Sequence, residues 1–245
     1  MSGTAIEIPV VLFLAAFARS ALGFGEALIA VPILALVIPV QVAAPIAVLS
    51  SITVAATILL RDWRHVHVES AGWLIASTLV GTPFGLILLT RVPSAAAKAC
   101  LGLALLGFGS YALLHRRPVS LANDRLAWLF GFAAGVLGGA FGMNGPPVVI
   151  YGSLRGWSPQ RFRATLQGYF LPASAMAMAG YWTAGLWTSE VTRYYLYALP
   201  GVLVAVFLGR TMHSRMDTRS FGRVVNLGLL AIAGLLLVQS LRALR

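Results

Sequence analysis

The chain has 245 residues, of which 59% are hydrophobic and only 10% charged, with a mean hydropathy of +0.86. A soluble domain carries roughly 25% charged residues, so this composition excludes one and marks an integral membrane protein. The 18 Lys and Arg against 7 Asp and Glu give a net charge of +11, clustered at the ends of apolar segments. That placement reads as anchoring on an anionic leaflet, not as nucleic-acid binding.

A membrane-spanning helix needs about 20 mostly apolar residues. Eight segments of that order follow one another, near 5–38, 42–60, 70–90, 96–114, 126–153, 162–184, 192–209 and 223–241. The links between them are short, which leaves no room for a soluble domain. The first segment carries Glu7 and Arg19 and is too long and too charged for a cleaved signal peptide, so it is expected to persist as structure. As one straight helix, Ala5 to Ile38 would measure about 50 Å against a hydrocarbon core of about 30 Å. It is therefore expected to break within "GFGEALIAVP", which starts at Gly23 and ends at Pro32. The fifth segment is also overlong and is interrupted by "FGMNGPP", Phe141 to Pro147. Broken backbone at membrane depth is stable only where it is buried in protein or lines a polar cavity, so both breaks are expected at a site.

The remaining segments offer less chemistry. Gly81 and Gly85 suit a close helix contact, and Gln167 and Tyr169 suit interhelical hydrogen bonds or the lining of a path. Trp63, Trp73, Trp157 and Trp187 fall near segment ends and read as interfacial anchors. "RHVH", Arg64 to His67, lies in a charged loop and reads as solvated, not as a metal site; no metal or cofactor is implied. Cys100 is the single cysteine, so no intramolecular disulfide is possible, and it reads as a structural thiol.

The halves echo one another. Phe24-Gly25 matches Phe141-Gly142, each pair followed closely by proline, and the stretch from Gly85 matches that from Gly209, pairing Arg91 with Arg215. Two repeats of four segments are expected, 1–118 and 119–245, within one all-α polytopic membrane domain. Charge counting then chooses a topology. If all eight segments cross, the loop cations divide nine to eight. If segments 1 and 5 enter, break and return, twelve arginines between Arg61 and Arg223 share one end, leaving Arg91, Lys98, Arg193, Arg242 and Arg245 at the other. The positive-inside rule favours the second arrangement, with both termini outside the cytoplasm and an odd number of crossings per repeat, hence inverted repeats.

A helix that restarts at a break presents unpaired N–H groups and the positive end of its dipole. Asn144 suits an N-cap and Pro146-Pro147 a first turn, giving a half-helix from about Pro146 to Tyr151; Ala27 to Ile38 is the expected counterpart. Two such N-termini facing each other make a seat for an anion, and Gly23, Gly25, Gly142 and Gly145 allow close approach to the backbone. The candidate binding residues are thus Arg19, Gly23, Phe24, Gly25, Glu26 and Ala27 from the first break. Phe141, Gly142, Asn144, Gly145 and Pro146 come from the second, and Gln167 from segment 6. Arg19 and Glu26 are intramembrane charges and hence functional candidates. Glu26 reads either as a proton carrier or as a cap on the restarted helix; Arg19 either neutralises an anion or pairs with Glu26.

"GFGEALIAVP", its echo "FGMNGPPVVIYG" and the eight apolar segments together resemble the TauE/SafE family, the sulfite and organosulfonate exporter type, over essentially the whole chain. The resemblance implies a non-enzymatic anion exporter of the bacterial inner membrane for sulfite, sulfoacetate or related sulfur oxyanions. Glu26 stands where many relatives carry a small residue, which argues against a plain uncoupled pore and names the proton as a coupling ion. A homo-oligomer fits the same reading. The rivals are a channel or transporter for a neutral or cationic solute, which Glu26 would suit, and a membrane-embedded enzyme, for which His65, His67, His115 and His213 lie too close to loops.

Overall fold

The computed structural model describes residues 4–62, 68–114, 121, 124–213 and 218–243. These hold ten helices: α1 (Thr4–Leu22), α2 (Glu26–Leu34), α3 (Val40–Asp62), α4 (Val68–Arg91), α5 (Ser94–Leu114), α6 (Ala127–Phe141), α7 (Gly145–Leu154), α8 (Pro159–Thr183), α9 (Ser189–His213) and α10 (Thr218–Ala243). Five, at Val40–Leu60, Glu69–Arg91, Ser94–Leu114, Ser189–Thr211 and Val225–Ala243, are long and apolar enough to cross a membrane. The protein is a multi-pass membrane protein. The 25-residue α8 has the length but carries Arg161, Arg163 and Gln167, and Gln167 is fully buried in protein.

Both overlong segments break, as their length requires. Gly23 and Gly25 adopt left-handed φ of 90° and 102° between α1 and α2, and Gly142 adopts 66° between α6 and α7. These backbone angles are strained for any residue with a Cβ and ordinary for glycine. The restarted helices differ from the expected ranges: α2 begins at Glu26 and stops at Leu34, and α7 runs from Gly145 to Leu154. Gly23 and Gly142 each follow the last residue of their helix, and Glu26 and Gly145 each open the next, so both pairs lie 119 apart (142 − 23; 145 − 26). By position, Phe24 therefore corresponds to Met143 and not to Phe141, two residues off the sequence match.

Small residues set the packing. A Cβ on Gly81 would lie 2.2 Å from the Phe132 carbonyl oxygen and one on Gly85 2.0 Å from that of Val136, so α4 and α6 touch backbone to backbone. The order of contacts, Leu74 on Gly131 and Thr82 on Gly139, makes these two helices parallel. α1 and α9 are likewise parallel, Phe13 meeting Gly201 and Phe17 meeting Gly209. Between α5 and α10 the order reverses: Lys98 donates to Gln239 (3.1 Å), and Gly109 packs on Leu230. α3 and α8 are also antiparallel, since Thr57 and Ile58 share a cavity with Arg163, Ser51 meets Ser174 (3.2 Å), and Val48 and Tyr181 converge on Gly142.

One polar cluster shows what these directions mean for a broken segment. Asp124, just before α6, accepts from Ser70 at the start of α4 (2.8 Å), from Tyr151 late in α7, and from Arg155 just beyond it (3.4 Å). The Leu121 N–H also reaches the Leu154 carbonyl (2.8 Å). α6 and α7 thus enter and return at one end of the bundle. The start of α3 lies beside the end of α8, a short link from the start of α9, and α9 runs parallel to α1. α1 and α2 therefore also return to the end at which they began, the opposite one.

Several sequence expectations need correction or placement. Trp73 and Trp187 are exposed, but Trp157 packs edge-on against Tyr151 and Phe162 in an aromatic cluster. Exposed Trp128 and Trp182 are better placed for an interface. Cys100 is half-buried. Trp63, the "RHVH" loop and Arg215 lie outside the described residues.

Candidate functional site

The two breaks meet. A cavity of about 20 Å³ is walled by Phe24 to Leu28 at the N-terminus of α2 and by Met143 to Pro146 at that of α7, with Arg19, Ser51 and Phe170 completing it. The N–H groups of Glu26, Ala27 and Leu28 open α2 and have no carbonyl one turn back within it, whereas Ile29 already bonds the Gly25 carbonyl (3.0 Å). α7 supplies its donors differently. Pro146 and Pro147 carry no N–H, so its first turn offers the dipole and little else from the backbone. Asn144 occupies the N-cap position, but contrary to the cap expected for it, its side chain makes no capping bond. It is 5% exposed and has no hydrogen-bond partner among the described residues; its amide faces the cavity as the polar group that end of the site presents.

Arg19 and Glu26, 2% and 1% exposed, form an ion pair at 2.8 Å. They meet across the break: α1 ends at Leu22, and the chain turns back through two left-handed glycines before Glu26 opens α2. Each charge is further solvated by protein. Glu26 accepts from Ser50 (2.5 Å). Arg19 donates to the Ser51 hydroxyl (2.6 Å) and carbonyl (3.2 Å) and to Gln167 (2.8 Å), and lies 4.8 Å above the Phe170 ring. Gln167 uses its other end to hold the Gly23 carbonyl (2.7 Å), tying α8 to the break. A buried pair survives only when its remaining donors and acceptors are met in this way. The Arg19 Nε–H is the exception, buried with no acceptor among the described residues.

Eight of the expected residues line the cavity: Arg19, Phe24, Gly25, Glu26, Ala27, Asn144, Gly145 and Pro146. Four do not. Gly23 and Gly142 shape the turns, Phe141 is core at the end of α6, and Gln167 braces Arg19 from behind. Sequence reasoning missed Ser50, Ser51, Met143 and Phe170. The adjacent serines within the apolar run Val40 to Leu60 were the available signal. Tyr169 bonds Thr78 (2.7 Å) away from the cavity.

The model of the TauE/SafE sulfite exporter family matches residues 8–236, spanning both breaks and all ten helices. The chain belongs to the TauE/SafE family. A probable sulfite/organosulfonate exporter TauE of Cupriavidus necator is 28% identical over 176 residues, covering 68% of this chain and 67% of that one. No solved structure matches the chain. Membership in a TauE/SafE exporter family makes this a transport protein.

Proposed function

We propose that this protein exports small sulfur oxyanions, of the sulfite and organosulfonate class, across the bacterial inner membrane. The observation that carries this reading is that two helix N-termini and one arginine converge on one cavity. Helix N-termini favour anions, and a guanidinium matches the oxygen geometry of a sulfonate as it does a carboxylate. A cavity of about 20 Å³ has room for one water molecule. Four or more heavy atoms need a larger one, so the anion enters through a conformational change around α2 and α7.

The Arg19–Glu26 pair suggests how that change is coupled. An anion that takes Arg19 leaves Glu26 without its counter-charge in a site from which water is excluded, where the carboxyl group is stable with a proton on it. Anion and proton then load together, and Glu26 reclaims Arg19 when both have left. Glu26 also supports the rival reading, a transporter of cations or neutral solutes. The carboxylate is already neutralised by Arg19, whereas the helix ends are not, so the anion reading is favoured.

The fold supports two inverted repeats, 1–118 and 119–245. The pairs α1/α9 and α4/α6 exchange with one another, and α5/α10 and α3/α8 each map onto themselves, when the first five helices are swapped for the last five. With the arginine-rich end in the cytoplasm, both termini are periplasmic. Flux of a panel of sulfur oxyanions in proteoliposomes tests the function. Saturable flux blocked by other sulfonates and indifferent to organic cations is expected; inhibition by cations with none by anions rejects the reading.

A further inference from the structure

A second cavity, of about 170 Å³, lies at the end of the bundle where α7 exits, among the ends of α5 and α7 and the start of α10. Its wall includes Phe24, Phe108, Tyr111, Val149, Ser153 and Asn226, an apolar surface with a few neutral donors. Phe24 is common to the walls of this chamber and of the central cavity. We propose that the chamber is an antechamber for the sulfonate-class anion, and that the Phe24 ring is the movable partition between it and Arg19. The proposal deepens the transport reading and rests on it.

Three observations carry the assignment. The first is size: about 170 Å³ accommodates a small organosulfonate, and the central cavity of about 20 Å³ does not. A solute therefore waits in the larger space until the smaller one opens. The second is the backbone on either side of the ring. Phe24 stands between Gly23 and Gly25, both left-handed, and a Cβ at Gly25 would meet nothing within 4 Å. A Cβ on Gly23 would lie 3.2 Å from the Arg163 side chain, but the permissive Gly25, in open space, lets the ring swing while α1 and α2 stay in place.

The third is the contrast with the other break. Met143, the positional counterpart of Phe24, is 1% exposed, and its N–H is bonded to the Leu137 carbonyl (3.2 Å). A Cβ on the preceding Gly142 would lie 2.7 Å from Val48. Asn144, where the first break has its second glycine, is right-handed at φ −75°. The second break is thus filled and held throughout, whereas the first is held at Gly23, by Gln167, and open at Gly25. The movable barrier belongs to the first break, and the path it controls leads to the α7 end.

Single cysteines in a Cys100→Ala background test the partition. The purified full chain, in detergent, is treated with a methanethiosulfonate reagent that carries a sulfonate, so that the probe has the chemistry of the proposed ligand. Ser153→Cys reports the antechamber and Ala27→Cys the central cavity. The expected result is fast modification at Ser153→Cys and slow modification at Ala27→Cys. Phe24→Ala should raise the Ala27→Cys rate by about tenfold, equivalent to removing about 1.4 kcal/mol of barrier, and leave the Ser153→Cys rate unchanged. An Ala27→Cys rate indifferent to Phe24→Ala overturns the proposal, and so does an equal rise at both cysteines, which would mean general loosening. If Phe24→Ala is not monodisperse, Phe24→Leu is measured with the same two outcomes. Labelling needs no flux: labelling as expected without sulfur-oxyanion transport keeps the partition and rejects the transport reading, and flux with Phe24-independent labelling does the reverse.

Discussion

The Arg19 guanidinium and the Glu26 carboxylate, 2.8 Å apart and both buried, bridge the break between α1 and α2, so the same bond closes the turn and balances the charge buried there. Removing one member strands the other. Arg19→Met should cost about 3–5 kcal/mol, and Arg19→Met with Glu26→Met distinctly less, because no charge is then left unpaired. Thermal unfolding of the four combinations in detergent, followed by size-exclusion fluorescence, gives the coupling. Additive losses would show that the pair is not a unit.

Glu26→Gln keeps a hydrogen-bond acceptor for Arg19 and cannot exchange a proton. If anion and proton load together, acidifying the loading side accelerates flux in the wild type, and Glu26→Gln binds the anion but has lost that acceleration. Flux against an imposed pH gradient, with both proteins in matched proteoliposomes, is the measurement. An equal response of the two would place the proton elsewhere.

Asn144 has no partner to lose, so Asn144→Leu should leave the fold intact and weaken anion binding. A hydrogen bond to a charged group is worth about 1.5–3 kcal/mol, or roughly a ten- to hundredfold rise in Kd. Equilibrium binding of a sulfonate to the monodisperse variant decides it; unchanged affinity would remove α7 from the substrate's reach.

With both broken segments returning to the end they came from, a C-terminal fluorescent protein that matures only in the cytoplasm should stay dark, and alkaline phosphatase at the same position should be active. The opposite pattern would reverse the assignment of the two ends of the bundle.

The breaks themselves were legible because each is a local conflict. Thirty-four apolar residues do not fit a bilayer as one helix, and Gly23, Gly25, Gly142 and Pro146 mark where the ladder fails. The candidates Arg19 and Glu26 followed from their cost in lipid, but the choice between anion ligand and ion pair needed their geometry. Phe170 was invisible for a different reason. It reaches the cavity from α8, and nothing in an apolar run states which face of a helix meets a turn more than a hundred residues away. The likeness of the two breaks was legible, but the Phe-Gly match lies two residues off the backbone, which aligns Gly23 with Gly142.

The parallel, glycine-faced contacts of α4 with α6 and of α1 with α9 join helices from different halves of the chain. Where carbonyls touch across such a seam, one helix cannot slide along the other without collision, so each pair travels as a single strut. Each strut is consequently chimeric, built from both halves of the sequence. A cross-link between Gly209 and Ser20 should therefore leave transport running, whereas one between Ser51 and Ser174, beside the central cavity, should stop it.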